Sequence, residues 1–269
     1  MPGLKLLDKG VTYDVGINFI PNTLSRPVWD DRIVRQELAA IRHDLHCNAV
    51  NIYGSNADRL IASARIALAL GLHVWLQPRL IDGTAQETQA FVIEVARRAD
   101  VLRQQWHELT LIVGGELSLT AAGIVPGEHL DARVMHIMRN AVPTLQDDLN
   151  ALLHRLIIAT RAVFKGRITY AAGSWEAVDW QLFDIVAVNL YRDERNRDTY
   201  RSAIRRLHAW GKPVAITEFG CCSYQGAERA GGLAHDVVDW ETVPPTLMHE
   251  VVRDETGAGR GAAGPAPHL

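Results

Sequence analysis

The chain has 269 residues, 48% apolar and 22% charged, proportions of an ordinary globular protein that exclude disordered, collagen-like and disulfide-scaffold classes. Its 28 Lys and Arg against 31 Asp and Glu give a formal net charge of -3, which supplies no general attraction to nucleic acid or to an anionic membrane. Three cysteines, two of them adjacent at Cys221 and Cys222, offer neither a disulfide framework nor a CxxC metal pair.

The opening MPGLKLLDKG has no apolar core of signal-peptide length, so with this cysteine usage the chain reads as cytoplasmic. Residues 15–20 are the first strand-like run, followed by a helical stripe of Val34, Leu38, Ile41 and Leu45. A second strand covers 49–53, and Ser55 with Asp58 has capping-box spacing for the next helix. The most apolar stretch, 66–76, is half of what a bilayer crossing needs and contains Gly71 and His73. A third strand spans 73–78; Thr84 with Glu87 then opens a helix whose stripe is Phe91, Val95, Ala99, Leu102 and Trp106.

The fourth strand, 110–115, leads into an unusually long connection, 117–146, with an amphipathic piece at 131–140. Thr144 with Asp147 opens the following helix, and Gly71, Gly166 and Gly211 each stand where a helix stops. Strands five to seven are 168–172, 185–191 and 214–219, with a solvated mixed-charge loop at 192–198. After them come a Gly-rich loop, a short helical piece at 246–255 and a Gly-, Ala- and Pro-rich tail that no inner strand tolerates. Short Val/Ile runs alternating with helical stretches indicate an α/β fold, a TIM (β/α)8-type barrel incomplete at its eighth strand. The expected organisation is one barrel domain over 1–255 and a disordered low-complexity tail over 256–269, an aberrant or truncated C-terminus. Without an eighth strand the first and seventh each present an open edge, an invitation to self-association unless residues 4–9 or a second chain cover it.

In such a barrel the active site lies at the C-terminal strand ends. Polar residues stand there on nearly every strand: Asn18, Asn51 and Tyr53, Gln77 and Arg79, Glu116, Asn189 and Tyr191, and Glu218. Period two puts Ala187, Asn189 and Tyr191 on one face, and likewise Trp75, Gln77 and Arg79, then Ile112, Gly114 and Glu116, then Ile216 and Glu218. Glu116 and Glu218 would then face one another across the mouth. Two such carboxylates suit glycoside cleavage, one protonating the leaving oxygen while the other attacks or stabilises the anomeric carbon. Singly, each is an ordinary solvated glutamate.

The run PVAITEFG at 213–220 resembles the seventh-strand motif of the clan A retaining glycoside hydrolases. That resemblance makes Glu218 the nucleophile, Glu116 the acid/base and Tyr191 the tyrosine beside the nucleophile. The whole chain is similar to glycosidase-like barrel proteins of actinobacteria, some of which carry an abortive-infection label. It departs from the clan at Gly115, where Asn is usual before the acid/base, at Asn51, where the second strand usually has Arg, and in lacking an identifiable aromatic on an eighth strand.

Trp175 and Tyr224 lie just past the fifth and seventh strands, placed either to stack on a sugar face or simply to pack. Glu176 reads as a helix-start carboxylate. Arg79 either binds a ligand hydroxyl or carboxylate or pairs with Glu116 and keeps it ionised. His43 and His46 lack a third ligand, and no phosphate-cradling glycine loop follows a strand, so no metal or other cofactor is expected. The leading reading is a retaining glycosidase acting on a carbohydrate or glycoside-like small molecule. The alternatives are a non-catalytic binding or assembly barrel, and an isomerase or cyclase that uses the same carboxylates for proton transfer.

Overall fold

A computed structural model of the chain describes residues 6–239, 242 and 244–263. The elements are β1 (Gly10–Asp14), α1 (Asp31–His43), β2 (Ala49–Gly54), α2 (Ala57–Ala69), β3 (His73–Pro78), α3 (Ala85–Gln105), β4 (Leu109–Gly115), α4 (Leu117–Thr120), α5 (Leu130–Arg139), α6 (Leu145–Val163), β5 (Arg167–Ala172), β6 (Val186–Asn189), α7 (Tyr200–Leu207), β7 (Val214–Glu218), α8 (Ala227–Ala230), β8 (Val238–Asp239), β9 (Thr246–Leu247) and α9 (Glu255–Ala263). One seven-stranded sheet runs in the order β1-β2-β3-β4-β5-β6-β7, and β8 and β9 form a separate antiparallel pair. The fold is therefore α/β of the TIM type with seven strands, and among the described residues no eighth joins the sheet. The chain divides into two compact units, 1–187 and 188–269.

In the first unit burial explains the elements. All seven residues of β4 are buried, as expected for a parallel strand covered on both faces. Val95 and Ala99 of α3 and Leu149, Leu152 and Leu156 of α6 are buried where these helices pack on it, and Leu60, Ala64 and Ala67 of α2 are buried over β2 and β3. Each leucine so buried contributes about 1.5–3 kcal/mol. Thr84 and Glu87 form the expected capping box on α3. At α2 the cap is Asn56, one residue beyond the expected Ser55. Leu45 falls outside α1, which ends at His43, and is exposed.

Three expectations are corrected. The first strand is 10–14, not 15–20: Val15 and Ile17 are buried like strand residues, but Gly16 has φ 117° and its N–H bonds Asp14 Oδ1 at 2.7 Å. The Ile17 N–H turns to Ser25 Oγ, so the ladder ends at the Asp14–Tyr53 pair and Asn18 is an exposed loop residue. The expected helix at 246–255 is instead β9 and a bridge from Arg253 to Tyr224. Pro244 and Pro245 favour extended backbone there. A helix, α9, occupies 255–263 where an unstructured tail was expected, and 264–269 lie outside the described residues.

Leu7 to Lys9, within one of the segments that could have covered the open edge, lie instead at the start of β2 and β3. Lys9 N–H donates to Asn48 Oδ1, Asn48 Nδ2 donates to the Leu7 carbonyl, and Asp8 bonds His73 and Trp75. The second unit is thinly packed. Every residue of β7 is half-exposed, α7 buries none of its residues, and Phe219, Leu233, Leu247 and Met248 are exposed.

Candidate active site

Glu116 stands where β4 meets α4, but strand parity does not aim it. Ile112 pairs with Thr169 and Gly115 with Ala171, so three steps on β4 match two on β5, a bulge that breaks the alternation assumed from Ile112 to Glu116. Glu116 then takes a left-handed conformation, φ 50° and ψ 47°, at a cost of about 1–3 kcal/mol for a non-glycine residue. Its N–H donates to the Ala171 carbonyl at 3.0 Å, and its own carbonyl accepts from Leu119 and Thr120, each at 2.8 Å. These bonds hold the strained residue.

Arg79, just past β3, brings Nη2 to 3.8 Å from Glu116 Oε2; both side chains are largely enclosed. A guanidinium so placed favours the ionised carboxylate. Arg79 also lies over the Phe19 ring at 5.6 Å, and Phe19 meets Tyr53 edge-on at 6.5 Å. Gln77, buried at 1% exposure, accepts from Asn51 Nδ2 at 3.1 Å. Asn51 Oδ1 and Gln77 Nε2 are left without a hydrogen-bond partner among the described residues. Gln77 also explains the glycine at 115, where a Cβ would sit 2.4 Å from Gln77 Nε2. Asn51, Tyr53, Gln77, Arg79 and Glu116 are thus joined through pairwise contacts, with Phe19 added.

The sequence reading missed a polar network behind Glu116. The Glu176 carboxylate accepts from Ser118 N–H (3.0 Å) and Oγ (2.6 Å), from the Tyr170 hydroxyl (2.8 Å) and from Gly173 N–H (2.8 Å). Tyr170, fully buried, also accepts from Leu117 N–H at 2.6 Å. Glu176 thus joins the turn after β4 to the turn after β5 rather than opening a helix. Burial raises its pKa above the ordinary 4.5, against the pull of its hydrogen bonds. Burial and the Glu176 charge hold Tyr170 well above 10, so the proton between them stays on the tyrosine. Trp175 is 37% exposed and its indole N–H donates to Ser118 Oγ at 3.0 Å. The available signal was Tyr170, a polar residue on the face shared by Ile168 and Ala172.

In the second unit Tyr191 OH donates to Glu218 Oε2 at 3.0 Å, and Thr217 Oγ1 donates to Asn189 Oδ1 at 2.7 Å. The backbone supports the pair. Leu190 N–H bonds the Glu218 carbonyl at 2.9 Å, and Asn196 Nδ2 bonds the Tyr191 carbonyl at 2.7 Å. Asp193, in the loop expected to be solvated, is buried and pairs with Arg195 at 2.6 Å. Tyr224 commits its hydroxyl to the Ala234 carbonyl at 2.9 Å, a tie within the loops after β7.

No protein-family model matches the chain, and no curated protein matches it in sequence. Among solved structures it is similar to the GH113 β-mannanase of Alicyclobacillus acidocaldarius, with a TM-score of 0.61 at 16% identity, covering 97% of this chain and 82% of the mannanase. A second GH113 β-1,4-mannanase gives a TM-score of 0.58 at 14% identity, over 94% and 80%. The likeness is one of fold: this chain shares the barrel architecture of glycoside hydrolases. No helix among the described residues is long and apolar enough to cross a membrane.

Proposed function

We propose that the protein is a retaining glycosidase in which Glu218 attacks the anomeric carbon and Glu116 protonates the leaving oxygen, then takes a proton from the water that releases the sugar. The observation that carries this reading is the Tyr191 hydroxyl donating to Glu218 at the end of β7. A hydrogen bond of this kind fixes one carboxylate oxygen and leaves the other oxygen to act. The left-handed Glu116 adds support, because backbone strain of this kind collects at functional sites. The unpaired ends of Asn51 and Gln77 are the polar atoms a ligand hydroxyl would satisfy once the side chains part. Asn18, Trp175 and Tyr224 complete the proposed binding set, with Trp175 the exposed aromatic among them.

A second reading, a barrel that binds a glycoside-like ligand without cleaving it, draws on Arg79 beside Glu116, since a general acid must hold its proton. Turnover of aryl glycosides separates the two, with β-mannosides first because the structures of similar fold are β-mannanases. The catalytic reading expects release of the aryl group by the wild type and none by Glu218→Gln. It expects Glu116→Ala to retain activity on substrates whose leaving group needs no proton, with rescue by azide. Saturable binding without turnover across the panel supports the binding barrel.

A further inference from the structure

A cavity of about 310 Å³ opens in the first unit where α3 and α6 end and β4 and β5 begin, at the strand ends opposite to Glu116. Arg103, Arg161, Lys165 and Arg167 line it, with His107 beside them and Asp184 as its one lining carboxylate. Two of these cations have ordinary explanations. Arg103 pairs with Asp100 at 2.8 Å and Arg161 with Asp184 at 2.6 Å, and both lie in the last turn of a helix, where positive charge suits the dipole.

The other two are held without a salt bridge. Lys165 Nζ caps the last turn of α6 by donating to the carbonyls of Arg161 and Ala162, and Arg167 Nη2 lies 3.3 Å from His73 Nε2. Among the described residues neither has a carboxylate within salt-bridge reach. A guanidinium has no lone pair to offer, so His73 Nε2 is the acceptor, shared with the Thr110 hydroxyl at 3.0 Å, and Nδ1 donates to Asp8. The chain from Asp8 through His73 places the Arg167 guanidinium at the cavity wall, within range of the Asp8 charge. Asp100 also accepts from the Lys165 backbone N–H at 2.9 Å, which pins the end of α6 to α3.

We propose that this cavity binds the phosphate group of a small phosphorylated molecule, at a site separate from the candidate active site. Four Lys and Arg side chains against one lining carboxylate in one concavity are the chemistry that recognises a phosphate oxyanion, and Arg offers paired donors to two of its oxygens. The volume exceeds what a free ion needs and admits a group such as a hexose carried on the phosphate. The proposal does not depend on the glycosidase reading.

Calorimetric titration of the full chain at low salt with inorganic phosphate, pyrophosphate and glucose 6-phosphate tests it. Saturable binding that weakens as salt rises is expected. Lys165→Ala and Arg167→Ala should each lower the affinity by about tenfold or more, and Arg32→Ala on the exposed face of α1 should leave it unchanged. Lys165 is exposed and bonds only carbonyls, so its variant tests the site without threatening the fold. Tighter binding of the sugar phosphate supports a carried phosphate. Preference for the inorganic ions supports the site but overturns the carried ligand, and no binding of any probe, or full affinity in both alanine variants, overturns the site.

Discussion

Glu176→Ala and Glu176→Gln should differ in a way set by the four donors that surround the carboxylate. Alanine leaves the N–H groups of Ser118 and Gly173 and the hydroxyls of Ser118 and Tyr170 without their acceptor. The hydroxyls can turn elsewhere, but the two N–H groups cannot, and each unsatisfied group costs about 1–3 kcal/mol. Part of this is offset, because the carboxylate itself is held at a cost that burial imposes and that raises its pKa. The expected net loss is about 3 kcal/mol. Glutamine keeps one oxygen for Ser118 but turns its amide toward the Gly173 N–H and the Tyr170 hydroxyl; the hydroxyl can rotate to accept, which leaves one donor–donor conflict worth about 1–2 kcal/mol. Urea unfolding followed by fluorescence gives both numbers, since a lost contact lowers the midpoint at unchanged slope. An alanine variant within about 0.5 kcal/mol of wild type, or a glutamine variant less stable than alanine, would refute the account of this network.

The same carboxylate makes a pH prediction. Its folded pKa is raised, so the stability it confers is fully present below the unfolded value near 4.5 and is lost as pH rises through the folded pKa; the margin of wild type over Glu176→Gln should widen from neutral pH toward acid, and a margin flat with pH removes the effect. Gly115→Ala places a methyl 2.4 Å from Gln77 Nε2 and should cost about 1–3 kcal/mol by overpacking, while adding Gln77→Ala should recover part of it, a coupling measurable in a double-mutant cycle. If the glycosidase reading holds, Tyr191→Phe removes the donor that orients Glu218; kcat/KM should fall about tenfold to a hundredfold, and an unchanged kcat/KM removes the orienting role. Arg79→Met should move the basic limb of the kcat/KM pH profile up by freeing Glu116 to hold its proton, and an unmoved limb assigns that limb to another group.

Much of the fold was legible because burial on both faces leaves a plain signal. The run at 73–78 matches β3 residue for residue, and the capping box at Thr84 is present as read. The first strand was misplaced because Val15 and Ile17 are buried for packing while Gly16 and Asp14 end the ladder, and burial looks the same in sequence whichever causes it. The convergence of Asn51, Gln77 and Arg79 followed from alternation. The direction of Glu116 did not, because a bulge adds a residue that no periodicity records. Glu176 was passed over for a different reason: its role depends on Ser118, 58 positions away along the chain, and a single carboxylate after a tryptophan carries no mark of such a partner.

The central claim is that Glu116 and Glu218 form one retaining pair, and the most direct test is the separation of their carboxyl groups in a crystal structure. The account predicts roughly 5 to 5.5 Å in one open pocket. A separation of roughly 6.5 to 9.5 Å would contradict retention in favour of inversion, and glutamates opening onto different surfaces would contradict catalysis by the pair altogether.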